Sequence, residues 1–300
     1  MKDTMYHSPV LLAASVSGLN IRPASVYVDA TFGGGGHSQE ILDNMDNKSK
    51  LFAFDQDEDA QRNAIEDTRF TFIPQNFFYL KRFMKFYKID KVDGILADLG
   101  VSSHQFDTPN RGFSIRFDGP LDMRMNQHQE LTAKEIVNTY SESRLADLFF
   151  SYGELRNAKK IAQLIFQNRV VEIATTMQLN EVLNQVLPRG NEHKVLAKIY
   201  QSLRMEVNKE IEALQSFLTQ SKDVLRSGGR LSVISYHSIE DRIVKRFIQN
   251  GNFENEPEKD DFGNPTLYFK KCGGLVVPNQ NEIRNNNRAR SAKLRIAKRL

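Results

Sequence analysis

Glycines and acids stand where several apolar runs of this chain end. Four glycines, Gly33–Gly36, follow the run 26–32, Asp55 follows the run 51–54, and Asp98 follows the run 92–97. In a doubly wound α/β sheet, ligands gather at the carboxyl ends of the strands. Glycine also lets the backbone bend sharply and come close to a ligand. We therefore expect these residues to share one ligand site.

The spacing of the glycines excludes two common phosphate-binding loops. A G-x-G-x-x-G motif needs glycine at Ser38 or Gln39, and a P-loop needs lysine and then serine or threonine where His37 and Ser38 stand. Asp55, about 20 residues further on, is placed to accept hydrogen bonds from both hydroxyls of a ribose. This combination predicts a nucleoside cofactor without pyrophosphate, and S-adenosylmethionine is the commonest one. A plain turn at the glycines and a helix N-cap at Asp55 are the structural alternatives.

Asp98 and His237 are the candidates for direct chemistry. Asp98 closes an apolar strand, with a helix or turn cap as its alternative role. His237 follows the run 231–235, but a lone histidine is more often a structural residue. No G-x-S-x-G surrounds Ser102 or Ser103, which argues against a serine hydrolase. The sequence has no H-E-x-x-H motif and no cysteine pair, so it predicts no metal site.

An alternation of strands and helices positions these residues and predicts an α/β fold with a parallel sheet. Capping boxes are expected at Thr132 with Glu135 and at Ser238 with Asp241. A helix is expected over 207–225. The alternation at 292–296 predicts a last, half-exposed strand. The remaining strands are expected at 26–32, 51–54, 70–73, 92–97 and 231–235.

The alternation is interrupted once. Residues 103–126 are rich in Gly, Pro, Asp and Arg and are predicted to form a long ordered loop, and helical patterns follow it. We predict a discontinuous catalytic domain of residues 1–102 and 207–300, with a helical insertion at 103–206 for substrate recognition.

Composition limits the class of protein. The chain has 300 residues, 40% of them hydrophobic, and no apolar run near the roughly 18 residues of a membrane span. The N-terminus lacks the apolar core of a signal peptide, and a single cysteine, Cys272, is expected to be a buried thiol in a reducing cytoplasm. A cytoplasmic protein is therefore expected. The net charge of +4 points weakly to an anionic partner.

With these residues assembled, the sequence closely resembles the RsmH family, also called MraW. Its members are bacterial S-adenosylmethionine-dependent methyltransferases that act on the N4 amine of a cytosine in 16S ribosomal RNA of the small subunit. The resemblance implies a Rossmann-like methyltransferase sheet with a helical insertion domain. It covers nearly the whole chain in separate ordered blocks: His7–Leu11, Asp29–Ser38, Asp98–Gln105, Arg111–Ser114, Asp118–Met125, Leu203–Asn208, Ser235–Lys245 and Arg288–Arg295.

The resemblance also implies roles for particular residues. It places Gly35, Gly36 and His37 at the methionine end of the cofactor and Asp55 at its ribose. It places Phe77 beside the adenine, where the residue pattern alone predicts a core side chain. Asp98 and Gln105 complete the implied pocket.

One departure concerns the base to be methylated. Many enzymes that methylate exocyclic amines carry an Asp-Pro-Pro-Tyr motif, but here the stretch is Asp98-Leu99-Gly100-Val101. We expect Asp98 or a nearby carbonyl to accept from the amine, while Ser235, Tyr236 and His237 line the pocket. Asp98 and His237 are the predicted catalytic residues.

Contacts with RNA are expected from cationic side chains. Arg111 and Arg124, on the loop that enters the insertion, are predicted to bind RNA or local acids. Phe113 and Phe117 anchor that loop or contact RNA. Residues 283–300 carry seven basic residues and no acid, so Lys298 and Arg299 are predicted to contact RNA, with a solvated edge strand as the alternative. A small-molecule methyltransferase and a non-catalytic RNA-binding assembly factor are the rival functions.

Overall fold

The computed structural model describes residues 9–300, so His7 and Ser8 of the first resembling block lie outside the described residues. The chain divides into two compact units. The sheet unit consists of residues up to Gly100 together with Ile211–Leu300, and the helical unit is Val101–Glu210. Each has its own cluster of buried apolar side chains.

A seven-stranded sheet forms the centre of the sheet unit, with strand order β3-β2-β1-β4-β5-β7-β6. Strands β1 to β5 are parallel, and β7 runs antiparallel to both of its neighbours. The chain order reverses between β1 and β4, which is where doubly wound sheets bind ligands. The strands are β1 (Val26–Asp29), β2 (Lys50–Phe54), β3 (Phe70–Ile73), β4 (Val92–Asp98), β5 (Leu225–Ser235), β6 (Phe269–Lys271) and β7 (Lys293–Arg299).

The direction of β7 separates its two ends. Lys293 pairs with Ser235, where β5 ends, whereas Lys298 pairs with Arg230, nearer the start of β5. The solvated edge strand that stood as the alternative for the basic C-terminal segment is wrong, because β6 pairs with the outer side of β7. A three-residue strand such as β6 is too short to give a recognisable sequence pattern.

Thirteen α-helices occur in the described residues. In chain order they are α1 (Leu12–Gly18), α2 (Gly36–Asp43), α3 (Glu58–Gln61), α4 (Leu80–Phe86), α5 (Ser103–Asp107), α6 (Ala133–Thr139), α7 (Glu142–Ser151), α8 (Ala158–Asn168), α9 (Thr176–Leu183), α10 (Glu192–Val207), α11 (Glu210–Val224), α12 (Ser238–Asn250) and α13 (Gln280–Asn285).

Two expected helix boundaries are wrong. The helix predicted over 207–225 is present as α11 but starts three residues later, because α10 ends at Val207 and Lys209 adopts a left-handed conformation before α11. The box predicted at Ser238 is also wrong. His237 is the N-cap of α12, with its Nδ1 accepting a hydrogen bond from the Glu240 backbone N–H. An imidazole acceptor at this position is harder to foresee than serine, the usual capping residue.

The helical unit packs around a single buried cluster that includes Leu145, Phe149, Ile161 and Leu179. The capping box at Thr132 and Glu135 is confirmed. The stretch expected to be a loop over 103–126 contains the short helix α5 and a 3-10 turn at Pro109–Arg111.

The two aromatic residues of that stretch differ in exposure. Phe113 is buried in the cluster and anchors the segment, whereas Phe117 is exposed. Across the described residues, none of the helices combines the length and apolar character that crossing a bilayer requires.

Candidate active site at the strand ends of the sheet unit

The glycine-rich segment forms the turn between β1 and α2. Gly33 and Gly35 have φ values of +52° and +80°, and Gly35 is the N-cap of α2. Side chains rarely adopt this conformation, which explains the need for glycine. At Gly36 a Cβ atom would lie 2.2 Å from Pro9 Cγ, so the N-terminal segment packs directly on the turn.

Asp55 connects the ends of β1 and β2. Its Oδ2 accepts from the Gly33 N–H at 2.8 Å, and its Oδ1 accepts from the Asp57 N–H at 2.9 Å. Burial raises the pKa of the Asp55 carboxyl to about 6, although both hydrogen bonds favour the ionised form. The N-cap of α3 is Asp57, so the alternative role of Asp55 as that cap is wrong.

Phe77 begins a 3-10 turn shortly after β3. Its ring packs edge-on against Phe217 with centroids 5.2 Å apart, and it remains partly exposed at the margin of the core. The preceding Asn76 donates to the Gln56 side chain at 2.9 Å, which ties the segments after β2 and β3 together.

Asp98 ends β4 and is held from two neighbouring strands. Its backbone N–H donates to Thr31 Oγ1 at 2.6 Å, and its Oδ1 accepts from the Tyr236 hydroxyl at 2.8 Å. Burial raises the pKa of the Asp98 carboxyl to about 6. The next helix, α5, is capped by Ser102, so Asp98 is not a helix cap.

His37 lies on the first turn of α2, buried beside Asp98. Its Nε2 is 3.2 Å from the Val10 carbonyl oxygen, and its Nδ1 is 3.9 Å from Asp98 Oδ2. A carbonyl oxygen only accepts hydrogen bonds, so Nε2 carries the proton in this contact. The other ring nitrogen, Nδ1, faces Asp98.

The three residues at the end of β5 have different environments. Ser235 is buried, and its Oγ donates to the Lys293 carbonyl at 3.4 Å. Tyr236 holds Asp98, as described above, and its backbone N–H donates to Glu240 Oε2 at 2.9 Å. His237 caps α12 and places Nε2 3.1 Å from Glu240 Oε1. These contacts give Ser235 and His237 local structural partners and bring only Tyr236 to Asp98.

Three predicted site residues belong to the helical unit, where local contacts occupy them. Gln105 is buried and completes the capping box of α5 with Ser102. Arg111 is buried and donates to the carbonyl oxygens of Arg124 and Met125. Arg124 forms a bidentate pair with Asp122, and both hydrogen bonds are 2.8 Å long. Asp122 is thus the local acid that the sequence analysis gave as the alternative partner.

Sequence reasoning missed Thr31 and the buried Asp29. The Asp29 carboxylate accepts from the Ser38 hydroxyl at 2.7 Å and from the Thr31 N–H, so it braces the glycine turn. The polar residues that immediately follow the apolar run of β1 were the available signal. The contact of Thr31 with Asp98 joins the ends of two strands, which the spacing alone does not predict.

The site lies at the switch point of the sheet, between β1 and β4. It combines a glycine turn, an acid after β2 and a second acid at the end of β4. This arrangement is typical of enzymes that bind a nucleoside cofactor, the class to which Rossmann-like methyltransferases belong. The model of the MraW methylase family matches residues 4–300, and the chain belongs to that family. The resemblance seen in the sequence is confirmed.

Several relatives are more than half identical to this chain. Ribosomal RNA small subunit methyltransferase H of Christiangramia forsetii is 57% identical, over 98% of each chain. The protein of that name from Flavobacterium johnsoniae is 58% identical over the full length of both. The one from Flavobacterium psychrophilum is 60% identical over 96% of this chain and 99% of its own.

Proposed function

We propose that this chain transfers a methyl group from S-adenosylmethionine to the N4 amine of a cytosine in 16S RNA of the small ribosomal subunit. The observation that carries the proposal is the Asp98 carboxylate, held by Tyr236 at the end of β4 next to the glycine turn. The RNA substrate is supported by the names of the relatives. Ribosomal subunits are cytoplasmic particles, which supports a cytoplasmic location for the proposed reaction.

The residues present fit S-adenosylmethionine. Each oxygen of Asp55 receives one backbone N–H, and a carboxylate oxygen has a second lone pair with which to accept a ribose hydroxyl. Gly100 has φ +94°, and a Cβ atom there would meet only the edge of the Tyr236 ring, 3.7 Å away. Backbone and ring thus leave space beside Asp98. In this proposal the turn Gly33–His37 holds the methionine end, and the adenine lies by Phe77.

S-adenosylmethionine supplies a methyl group on a sulfonium, whose sulfur leaves without help from a metal. The amine of cytosine is a weak nucleophile because its lone pair is delocalised into the ring. The main task of the protein is therefore to align the amine with the methyl carbon and to accept a hydrogen bond as positive charge develops on nitrogen. Asp98 is the acceptor in this proposal. The nitrogen–carbon bond forms, the carbon–sulfur bond breaks, and the proton passes from nitrogen to the carboxylate or to water.

The other predicted residues have positioning and structural roles in this proposal. Tyr236 is assigned here as the positioning residue for Asp98. His237 and Ser235 support the end of β5 and the start of α12. Gln105, Arg111 and Arg124 have local partners, so we assign them to building the helical unit, which we propose as the substrate-recognition domain.

Mass mapping of methylated nucleotides tests the proposal. Small subunits from a strain without this gene, incubated with the protein and S-adenosylmethionine, should gain one methyl group on a cytosine. Free cytidine should remain unmodified. Methylation of free nucleosides at a comparable rate would instead indicate a small-molecule methyltransferase. If calorimetry detected no binding of S-adenosylmethionine, a non-catalytic RNA-binding factor would be favoured.

A further inference from the structure

We propose that the outer face of α4 binds a single-stranded segment of the substrate RNA. This surface takes no part in the chemistry proposed at the strand ends. We call this surface the α4 patch. The inference rests on the proposed function in that the substrate is RNA. The α4 patch consists of Phe78, Tyr79, Arg82, Lys85, Phe86 and Tyr87.

Four aromatic rings are exposed within ten residues of chain. Phe86 is 72% exposed, and Phe78, Tyr79 and Tyr87 are between 36% and 40% exposed. They form two edge-on pairs, with centroids 4.9 Å apart for Phe78 and Tyr79 and 5.1 Å apart for Phe86 and Tyr87. Exposed aromatic faces are platforms on which unpaired bases stack, with little dependence on base identity.

Cations lie between the two ring pairs. Residues 77–91 contain five basic residues and one acid. Two of the five are used within the fold, since Lys81 pairs with Asp223 at 2.7 Å and Lys91 donates to the Asp223 carbonyl. Arg82 and Lys85 are exposed and form no ion pair with any residue from Pro9 onwards. They are therefore available for phosphate groups.

Helical spacing holds the central groups of the α4 patch on one face, whereas Tyr87 follows the helix and its ring lies 5.2 Å from that of Phe52. Tyr79, Arg82 and Phe86 follow the i, i+3, i+7 spacing of a single helical face, and two turns separate the outer rings by about 10 Å. The opposite face is fixed by the buried Leu80 and Met84. Gln220 accepts from the Lys81 N–H and donates to the Phe78 carbonyl, which fixes the start of α4. The α4 patch is thus ordered before any ligand arrives.

The charge favours RNA over a protein partner. The centres of protein interfaces are depleted in lysine, whereas surfaces for single-stranded nucleic acid combine a cationic track with stacking rings. In the α4 patch a cation lies between two rings along the helix. This order suits a single strand of RNA, in which the rings can stack on bases and the cation can bind a phosphate.

Fluorescence anisotropy with a labelled single-stranded RNA oligonucleotide, over a series of salt concentrations, tests the inference. Phe86→Ser should weaken binding by about tenfold, the loss of one stacked base. Arg82→Gln with Lys85→Gln should reduce the slope of log affinity against log salt by about 1.4, the value for two phosphate contacts to a single strand. The charge variant alters exposed side chains alone, so it tests the α4 patch even if the aromatic variant misfolds.

Matched controls lie on other elements of the same unit. Phe262→Ser removes a ring that is 91% exposed, and Lys270→Gln with Lys298→Gln removes two cations from β6 and β7, outside the α4 patch. If the patch variants bind RNA as these controls do, the inference is wrong. It is also wrong if Phe86→Ser leaves RNA affinity intact and only shifts the sedimentation of the protein from dimer to monomer.

The inference and the proposed function can fail separately. Wild-type protein that methylates small subunits, with patch variants that bind RNA normally, overturns the inference alone. Wild-type protein that binds RNA through the α4 patch but methylates no cytosine overturns the function alone.

Discussion

Asp98 and Asp55 are carboxyl groups at the ends of β4 and β2, the two strands that flank β1, and their surroundings differ. Asp55 accepts two backbone N–H groups and belongs to the turn that carries the cofactor in our proposal. Asp98 accepts a side-chain hydroxyl and has the ring of His37 on its other side. Burial raises the pKa of both to about 6. Their division into a binding and a reacting carboxylate follows from these partners.

Substitution by asparagine should separate the two roles. We expect Asp98→Asn to lower kcat for methyl transfer by about 10²- to 10⁴-fold, the usual contribution of a positioned proton acceptor. Asp55→Asn should instead weaken S-adenosylmethionine binding by about tenfold or more, because a charged acceptor is lost. Single-turnover kinetics at saturating cofactor and calorimetry measure the two effects. Normal turnover in Asp98→Asn would contradict the assignment.

Tyr236 should set the pH dependence through Asp98. The carboxyl must be ionised to accept a hydrogen bond from the amine, so the rate should fall as pH drops through about 6. The Tyr236 hydroxyl favours the ionised form, so Tyr236→Phe should raise the pKa of Asp98 and move the profile up by about one pH unit. Measuring kcat at saturating cofactor separates this effect from the titration of Asp55. A purely structural tyrosine would lower the rate equally at every pH.

β7 shows what the sequence could and could not predict about the elements. The alternation from Ala292 to Ile296 correctly indicated a strand, and the apolar runs before Asp55 and Asp98 located two strand ends. Those ends were predictable because a buried parallel strand is a continuous apolar run. The pairing with β6 and the bond between Tyr236 and Asp98 were not predictable, because they join segments far apart in the chain.

The same strand places the two parts of the basic C-terminal segment at opposite ends of the strands. Lys293 and Arg295 pair with Asp241 within the fold. Arg299 donates to the carbonyl oxygens of Lys222 and Tyr268. Lys298 lies away from the strand ends that carry Asp98. The residues just before Lys293 reach the strand-end side, where Ala289 packs in one cluster with Val10 and Tyr236.

We therefore expect the exposed Arg284 and Arg290, rather than Lys298 and Arg299, to contact RNA phosphates. Arg284→Gln with Arg290→Gln should weaken small-subunit binding and reduce its salt slope by about 1.4 to 1.8. Lys270→Gln with Lys298→Gln is the matched control. Filter binding at several salt concentrations measures both pairs, and equal slopes for the two would return the whole C-terminal segment to a structural role.

Charge is distributed unevenly over the molecule. Residues 77–91 and 283–300 together carry a net charge of +11, so the rest of the chain has a net charge of −7. Both basic segments belong to the sheet unit. A whole-chain net charge of +4 therefore understates two local cationic surfaces, which length and composition alone could not reveal.

The helical unit should fold on its own. Every residue of its buried cluster lies between Val101 and Glu210, so it needs no side chain from the sheet unit to fill its core. We expect a fragment of residues 101–210 to be helical by far-UV circular dichroism and to unfold cooperatively on heating. Leu179→Ala, at a fully buried position, should lower its stability by about 2–5 kcal/mol. A gradual, non-cooperative loss of signal in the unsubstituted fragment would show that its core is incomplete.

The position of the helical unit in the chain also determines the order of events during synthesis. β4 and β5 are neighbours in the sheet, yet the whole helical unit is translated between them. At usual elongation rates, β4 emerges on the order of ten seconds before its partner is made. During that interval the helical unit is complete, but the side of β4 that will pair with β5 is still unpaired. Unpaired strand edges promote aggregation. We therefore expect this enzyme to be most prone to aggregation during its own translation, when chaperones would protect it most.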